Sequence, residues 1–292
     1  MQEFTYQRPD TIAAALAAIA AADTRALAGG TDLVPQLREG RRAAACIVDL
    51  KHVPELMAVT ATADGGVSIG AAATATFVAR HPLIADRYPA VAQSAQLIGG
   101  TQVQNRASLG GNICNAAPSA DGVPALICHG ARASIVGPNG KREVALETIF
   151  AGPGRTNLAP GELLVAILLP PPAPRSAACY LRFTPRREMD IAVAGAGAWL
   201  RLGDDGAIAE ARIALASVAP TPIRAPTAEQ SLLGAGPTAE VFTNAGRNAA
   251  QDARPISDTR GSADYRRKLV AVLTARALAD CARQLGLEVA VA

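Results

Sequence analysis

The spacing of apolar positions changes several times along the chain, and each change marks an element. Ile12, Leu16 and Ile19 recur at intervals of four and three, which predicts a helix beginning near Thr11. Ala26-Leu27-Ala28 reads as a short buried strand running into Gly29-Gly30-Thr31, with a second helix over residues 32–38 and a strand at Cys46-Ile47-Val48. These pieces make a small βαβ-like unit with a glycine turn at its strand-to-helix junction. From Val67 the pattern differs: a strand at 67–70, helices over 74–80 and 87–98, then a Gly- and Asn-rich stretch from Gly99 to Ser119.

Strands are expected at 133–136, 142–146 and 163–169, and Pro170-Pro171-Pro172-Ala173-Pro174 ends the run because it suits neither helix nor central strand. A second sheet follows at 178–183, 192–201 and 208–216. Pro220, Pro222 and Pro226 mark a loop. A terminal helix starts at Ser262, with Tyr265, Leu269, Val272, Leu273 and Leu285 on or near one face and Gly286 as its stop. The class is α+β: one domain ending near residue 172, then a smaller sheet-plus-helix domain.

Composition narrows the function. At 292 residues, half of them apolar and 18% charged, the chain can bury a real core. Aromatic residues are only 3%, so that core rests on Ala, Val, Leu and Ile. With a net charge of +3 spread along the chain and few stacking rings, nucleic-acid binding is not expected. The apolar window over 11–22 falls short of a membrane span, and Met1 to Pro9 has no signal-peptide pattern. Cys46, Cys114, Cys128, Cys179 and Cys281 form no CxxC pair, which predicts reduced thiols, a cytoplasmic protein and no metal or iron–sulfur site in this chain. His52, His81 and His129 are paired in no motif, and no side chain stands out as a general acid, base or nucleophile.

Two glycine stretches carry the candidate chemistry. In Leu27-Ala28-Gly29-Gly30-Thr31-Asp32-Leu33 a strand runs through two glycines into a helix start, where unpaired amides and a partial positive charge suit a pyrophosphate. Thr31 can add a hydroxyl donor and Asp32 can cap the helix; a plain tight turn is the other reading. The second stretch runs from Gly99 through Ser108-Leu109-Gly110-Gly111-Asn112 to Asp121, and suits either backbone pressed against a flat or phosphorylated ligand or a long surface loop. Neither stretch matches the GxGxxG or GxxxxGK[ST] fingerprint.

In order along the chain, Ala-Gly-Gly-Thr-Asp-Leu (28–33), Asn-Arg-Ala-Ser-Leu-Gly-Gly-Asn-Ile (105–113) and Ala-x-Pro-x-x-Asp (116–121) resemble the FAD-binding medium subunit of the molybdenum hydroxylases. That family includes xanthine dehydrogenase and bacterial carbon monoxide, nicotine and aromatic-acyl-CoA enzymes. The resemblance extends to Phe4-x-Tyr6-x-x-Pro9, Gly161 to Pro170, Arg186-Arg187-Glu188-Met189-Asp190-Ile191-Ala192 and Arg260 to Arg266.

The resemblance implies an FAD-binding domain of the vanillyl-alcohol-oxidase/PCMH type over 1–172, with subdomains of about 1–58 and 59–172. A C-terminal domain of the CO dehydrogenase flavoprotein type would follow over 176–286. It implies that Ala28, Gly29, Gly30, Thr31 and Asp32, flanked by Leu27 and Leu33, clamp the FAD pyrophosphate from one side. Ser108, Leu109, Gly110, Gly111 and Asn112 would clamp it from the other. Asp121 would hold polar groups of the nucleotide, Ile98 and Leu164 would lie beside the flavin, and Arg182 would be a basic group near it. For Leu164 an ordinary core position, and for Arg182 a solvated surface charge, stay open as alternatives.

Two departures from the family pattern stand out: Gln104 replaces an Arg common among relatives, and no Cys-rich insertion follows Cys114, so an extra 4Fe–4S cluster is not expected. On this reading a large partner subunit carries a molybdopterin-type molybdenum cofactor and a small one carries two 2Fe–2S clusters. The FAD here passes their electrons to NAD, a quinone, oxygen or another carrier. A stand-alone flavin oxidase and a flavin-free scaffold subunit are the alternatives.

Overall fold

The computed structural model describes residues 2–187 and 189–291; Glu188, within the Arg186–Ala192 motif, lies outside the described residues. The chain opens with β1 (Thr5–Gln7), α1 (Ile12–Ile19), β2 (Thr24–Leu27), α2 (Leu33–Arg38) and β3 (Cys46–Asp49). The three strands form a parallel sheet in the order β1-β3-β2. Thr11 starts α1 by accepting from the Ala14 amide at 3.2 Å, as a helix N-terminus requires. The βαβ unit predicted from periodicity is present, with β1 as an added strand.

Beyond α3 (Pro54–Met57) come β4 (Val59–Ala61) and β5 (Val67–Gly70), then a run of short helices: α4 (Ala75–Arg80), α5 (Pro82–Ala85), α6 (Pro89–Gln96), α7 (Thr101–Gln104), α8 (Leu109–Asn115) and α9 (Gly122–Cys128). The stretch from Gly99 to Ser119 is therefore largely helical and not one long surface loop. β6 (Arg132–Gly137) and β7 (Gly140–Ala145) lead through the small hairpin of β8 (Phe150–Gly152) and β9 (Arg155–Thr156) to β10 (Leu163–Leu169). The second sheet is antiparallel in the order β4-β5-β10-β6-β7.

β10 is buried on both faces, which explains its unbroken apolar sequence. Leu163 and Val165 pack with the first sheet and α1, while Leu164, Ile167 and Leu169 pack with the helical layer. A register shift between Leu164 and Ala166 lets the faces change over.

The third sheet is an antiparallel meander of β11 (Ser176–Phe183), β12 (Ala194–Leu202), β13 (Ile208–Ala216) and β14 (Ile223–Arg224). One face, through Ala178, Tyr180, Trp199 and Ala214, belongs to the same core as α6, α8 and α9. The other is covered by α10 (Pro226–Leu232), α11 (Ala239–Asp252) and α12 (Ala263–Gln284). The two domains thus share an apolar layer. Ser262 caps α12 and Gly286, at φ +82°, follows its end. The buried stripe of α12 is Val270, Leu273, Ala277, Leu278 and Cys281, whereas Tyr265 and Val272 point outward.

Candidate functional site

A cavity of about 940 Å³ opens between the first sheet, the second glycine stretch, the start of β10 and the loop before β12. That volume lies at the upper end for a small-molecule site, roughly 300–1,000 Å³. Leu27, Ala28, Gly29, Gly30, Thr31, Asp32 and Leu33 line one wall; Ser108, Gly110, Gly111 and Asn112 line the facing one. Of the other residues anticipated from sequence, Ile98, Asp121 and Leu164 also line it.

The glycines bring these walls together. A Cβ on Gly29 would lie 1.9 Å from the Arg106 carbonyl oxygen, and one on Gly110 would lie 2.3 Å from that of Ala71. Their job is backbone-to-backbone contact within the protein. Gly30, at φ +77°, turns the chain from β2 toward α2. Gly111 has only the Ser108 hydroxyl nearby, 3.1 Å from a hypothetical Cβ, so its outer side stays open to the cavity.

Ser108 caps α8 by accepting from the Gly111 amide at 3.0 Å, and the amides of Leu109 and Gly110 belong to the first turn, which an α-helix leaves unpaired. Asp32 stands at the N-cap of α2, but its side chain makes no capping bond, contrary to the expectation. Burial raises its carboxyl above the ordinary range, against the opposing field of Arg41.

Two tethers hold the walls in place. Gln36 of α2 donates to Asn115 of α8 at 3.2 Å, joining the two glycine segments, and Asn112 accepts from the Gly122 amide at 3.3 Å. On the first sheet, Lys51 donates to the Ala28 carbonyl at 2.9 Å and pairs with buried Asp49, which Tyr6 also contacts. Burial alone would raise the Asp49 carboxyl; the hydrogen bonds from Lys51 and Tyr6 outweigh it and hold it below its usual value. This network was not legible in the sequence: Tyr6 lies 43 positions from Asp49, and Asp49 and Lys51 fell in no recognised motif.

Leu109 and Arg182 lie off the cavity wall. The Leu109 side chain is in the main core, leaving only its helix-start amide to serve a ligand. Arg182 is neither a surface charge nor a wall residue: it is a buried ion-pair partner of Asp121, which also accepts from Tyr180 at 2.8 Å. Leu164 both packs in the core and lines the cavity. At Gln104, which replaces a common Arg, the side-chain amide donates to the Gln96 carbonyl and so fastens α7 to α6.

Among the described lining residues no histidine occurs, and three of the acidic groups are engaged: Asp121 with Arg182, Glu162 with Arg142, and Asp190 with Arg186. Amide donors stand at one part of the cavity, and Leu50, Ile98, Leu163 and Leu164 give an apolar wall at another. That combination fits a ligand with an anionic bridge and a flat apolar ring, as FAD has.

Residues 2–172 match the family model of the FAD binding domain in molybdopterin dehydrogenase. The chain belongs to this FAD-binding family of the molybdenum hydroxylases. Residues 179–281 match the CO dehydrogenase flavoprotein C-terminal domain. The chain is 34% identical over 284 residues to the xanthine dehydrogenase FAD-binding subunit of Escherichia coli O157:H7, covering 97% of each. It is 31% identical to the carbon monoxide dehydrogenase medium chain of Hydrogenophaga pseudoflava, with 94% of this chain and 96% of that one covered. A solved carbon monoxide dehydrogenase from that organism, lacking the Mo-pyranopterin moiety, superposes with a TM-score of 0.92 over 97% of this chain and 98% of its own. Quinoline 2-oxidoreductase from Pseudomonas putida 86 gives 0.90 at 28% identity, covering 97% and 98%. Members of this family are oxidoreductase subunits, and the two-domain α+β fold is theirs. Among the described residues no helix is long and apolar enough to cross a membrane.

Proposed function

We propose that this chain is the electron-transfer flavoprotein of a heteromeric hydroxylase. It receives single electrons from 2Fe–2S clusters of a small partner subunit and passes them through FAD to an external acceptor such as NAD, a quinone or oxygen. A large partner would hold the molybdenum cofactor and oxidise the substrate. We read residues 1–172, in subdomains of about 1–58 and 59–172, as the cofactor domain and 176–286 as the second.

The observation that carries the reading is the juxtaposition of the two glycine segments across one cavity large enough for a dinucleotide. Bound FAD supplies the redox chemistry, taking electrons singly and releasing them in pairs. The amides of Gly30, Thr31 and Gly110 would bind the pyrophosphate with Ser108 holding the helix start. Leu164 and Ile98 would cover the flavin ring without offering a proton. Arginine pairing of Glu162 and Asp190, whose carboxyls lie below their ordinary range, leaves these two poorly suited to proton transfer, which favours electron transfer over a stand-alone oxidase. Five unpaired thiols suit a reducing cytoplasm.

Anaerobic reduction separates the readings. The flavin of the isolated chain is expected to bleach with dithionite but not with a substrate that the assembled complex turns over; in the complex that substrate bleaches it. Direct reduction of the isolated chain by the substrate would establish an oxidase instead.

A further inference from the structure

Both carboxylate oxygens of Asp121 are held from the second domain. Oδ1 accepts from the Tyr180 hydroxyl at 2.8 Å, and Oδ2 is paired with Arg182 Nη1. Tyr180 and Arg182 are two residues apart on β11, so they project from the same face of that strand. Tyr180 is fully buried and Asp121 is 8% exposed. Of the three, only Asp121 lines the cavity.

The reach of the phenol depends on a missing side chain. A Cβ on Gly195 would lie 2.4 Å from the Tyr180 hydroxyl oxygen and 3.1 Å from the ring. Gly195 stands on β12 directly across from Arg182. Two residues on, Gly197 faces Tyr180, and its Cβ would lie 3.1 Å from Cys128 Sγ and 3.3 Å from Pro124. Together these glycines seat α9, whose N-cap is Asp121, against the sheet and leave room for the phenol to meet the carboxylate. Burial, reinforced by the Asp121 charge, holds the Tyr180 phenol well above its usual value, so it remains a donor. Each carboxylate oxygen has two lone pairs; with one used on each side, one per oxygen is left for a ligand.

We propose that Tyr180 is a positioning residue for the flavin site: acting through Asp121, it fixes a carboxylate as an acceptor for a hydroxyl or N–H donor of the flavin nucleotide. The second domain then sets cofactor affinity in part through a side chain that lies off the cavity wall. The proposal rests on the cavity being the FAD site.

The test is a double-mutant cycle on the full chain stripped of flavin, with the FAD Kd read from quenching of flavin fluorescence. Tyr180→Phe is expected to weaken binding about tenfold, the scale of one hydrogen bond to a charged group. In an Asp121→Ala background the same change is expected to shift Kd less than about twofold, because the acceptor through which it acts is gone. Gly195→Ala keeps every polar group but displaces the phenol, and should reproduce both results. Equal weakening in the two backgrounds, or no weakening in the parent, would overturn the proposal while leaving the flavin site intact. A parent chain that binds no FAD would overturn the flavin reading and the proposal with it.

Discussion

A Cβ at position 29 would have to occupy space 1.9 Å from the Arg106 carbonyl oxygen, so the glycine is fixed by a neighbouring segment and not by the ligand. Gly29→Ala must push the two glycine segments apart. The expected cost is about 1–3 kcal/mol of stability and a loss of FAD affinity of about a hundredfold. Urea unfolding of the flavin-free chain and a fluorescence titration would measure the two. Gly236→Ala, where nothing lies within 4 Å, is the control and should change stability by less than about 0.5 kcal/mol. The glycine pairs were visible in the sequence, but their physical reason was not. Backbone contact between residues 29 and 106 is a property of the folded chain. Tyr180 was invisible for the same reason: a tyrosine in a strand gives no sign of a partner 59 positions away.

At the scale of elements, periodicity located the strands that carry large β-branched or leucine side chains, such as β5, β10 and β13. It missed α10 and α11, each of which buries one large apolar side chain, Leu232 or Phe242, among small ones such as Ala228, Ala245, Gly246 and Ala249. It also missed β1, whose three residues are all exposed. The packing of α9 carries a pH dependence. His129 ends that helix, stacks edge-on against Tyr88 with ring centroids 5.3 Å apart, and has a buried Nε2 without a partner. Burial, aided by Arg212, lowers its pKa from 6.5 to about 4. The fold therefore favours neutral His129: the stabilisation is complete above 6.5 and is lost as the pH falls toward 4. Between pH 7 and 5 this group alone should remove about 2 kcal/mol. His129→Phe should flatten that part of a urea-unfolding profile; an unchanged slope would show that His129 titrates normally in the folded chain.

Over the whole molecule, the family resemblance was legible because its motifs recur in order along nearly the full length, and matching family models over 2–172 and 179–281 agree with it. What the sequence did not reveal is how closely the two domains are joined. Tyr180, Trp199 and Ala214 of the third sheet lie in the core of the first domain, and Arg182 neutralises a carboxylate on the cavity wall. Such coupling makes cofactor affinity a property of both domains. The central claim is that the cavity between the glycine segments holds FAD, and the direct measurement is the absorption spectrum of the purified chain with chromatography of the flavin released on denaturation. Flavin bands at near-stoichiometric amount, or their appearance on adding FAD, are expected, with FAD and not FMN released. A colourless chain that takes up no added FAD would contradict it.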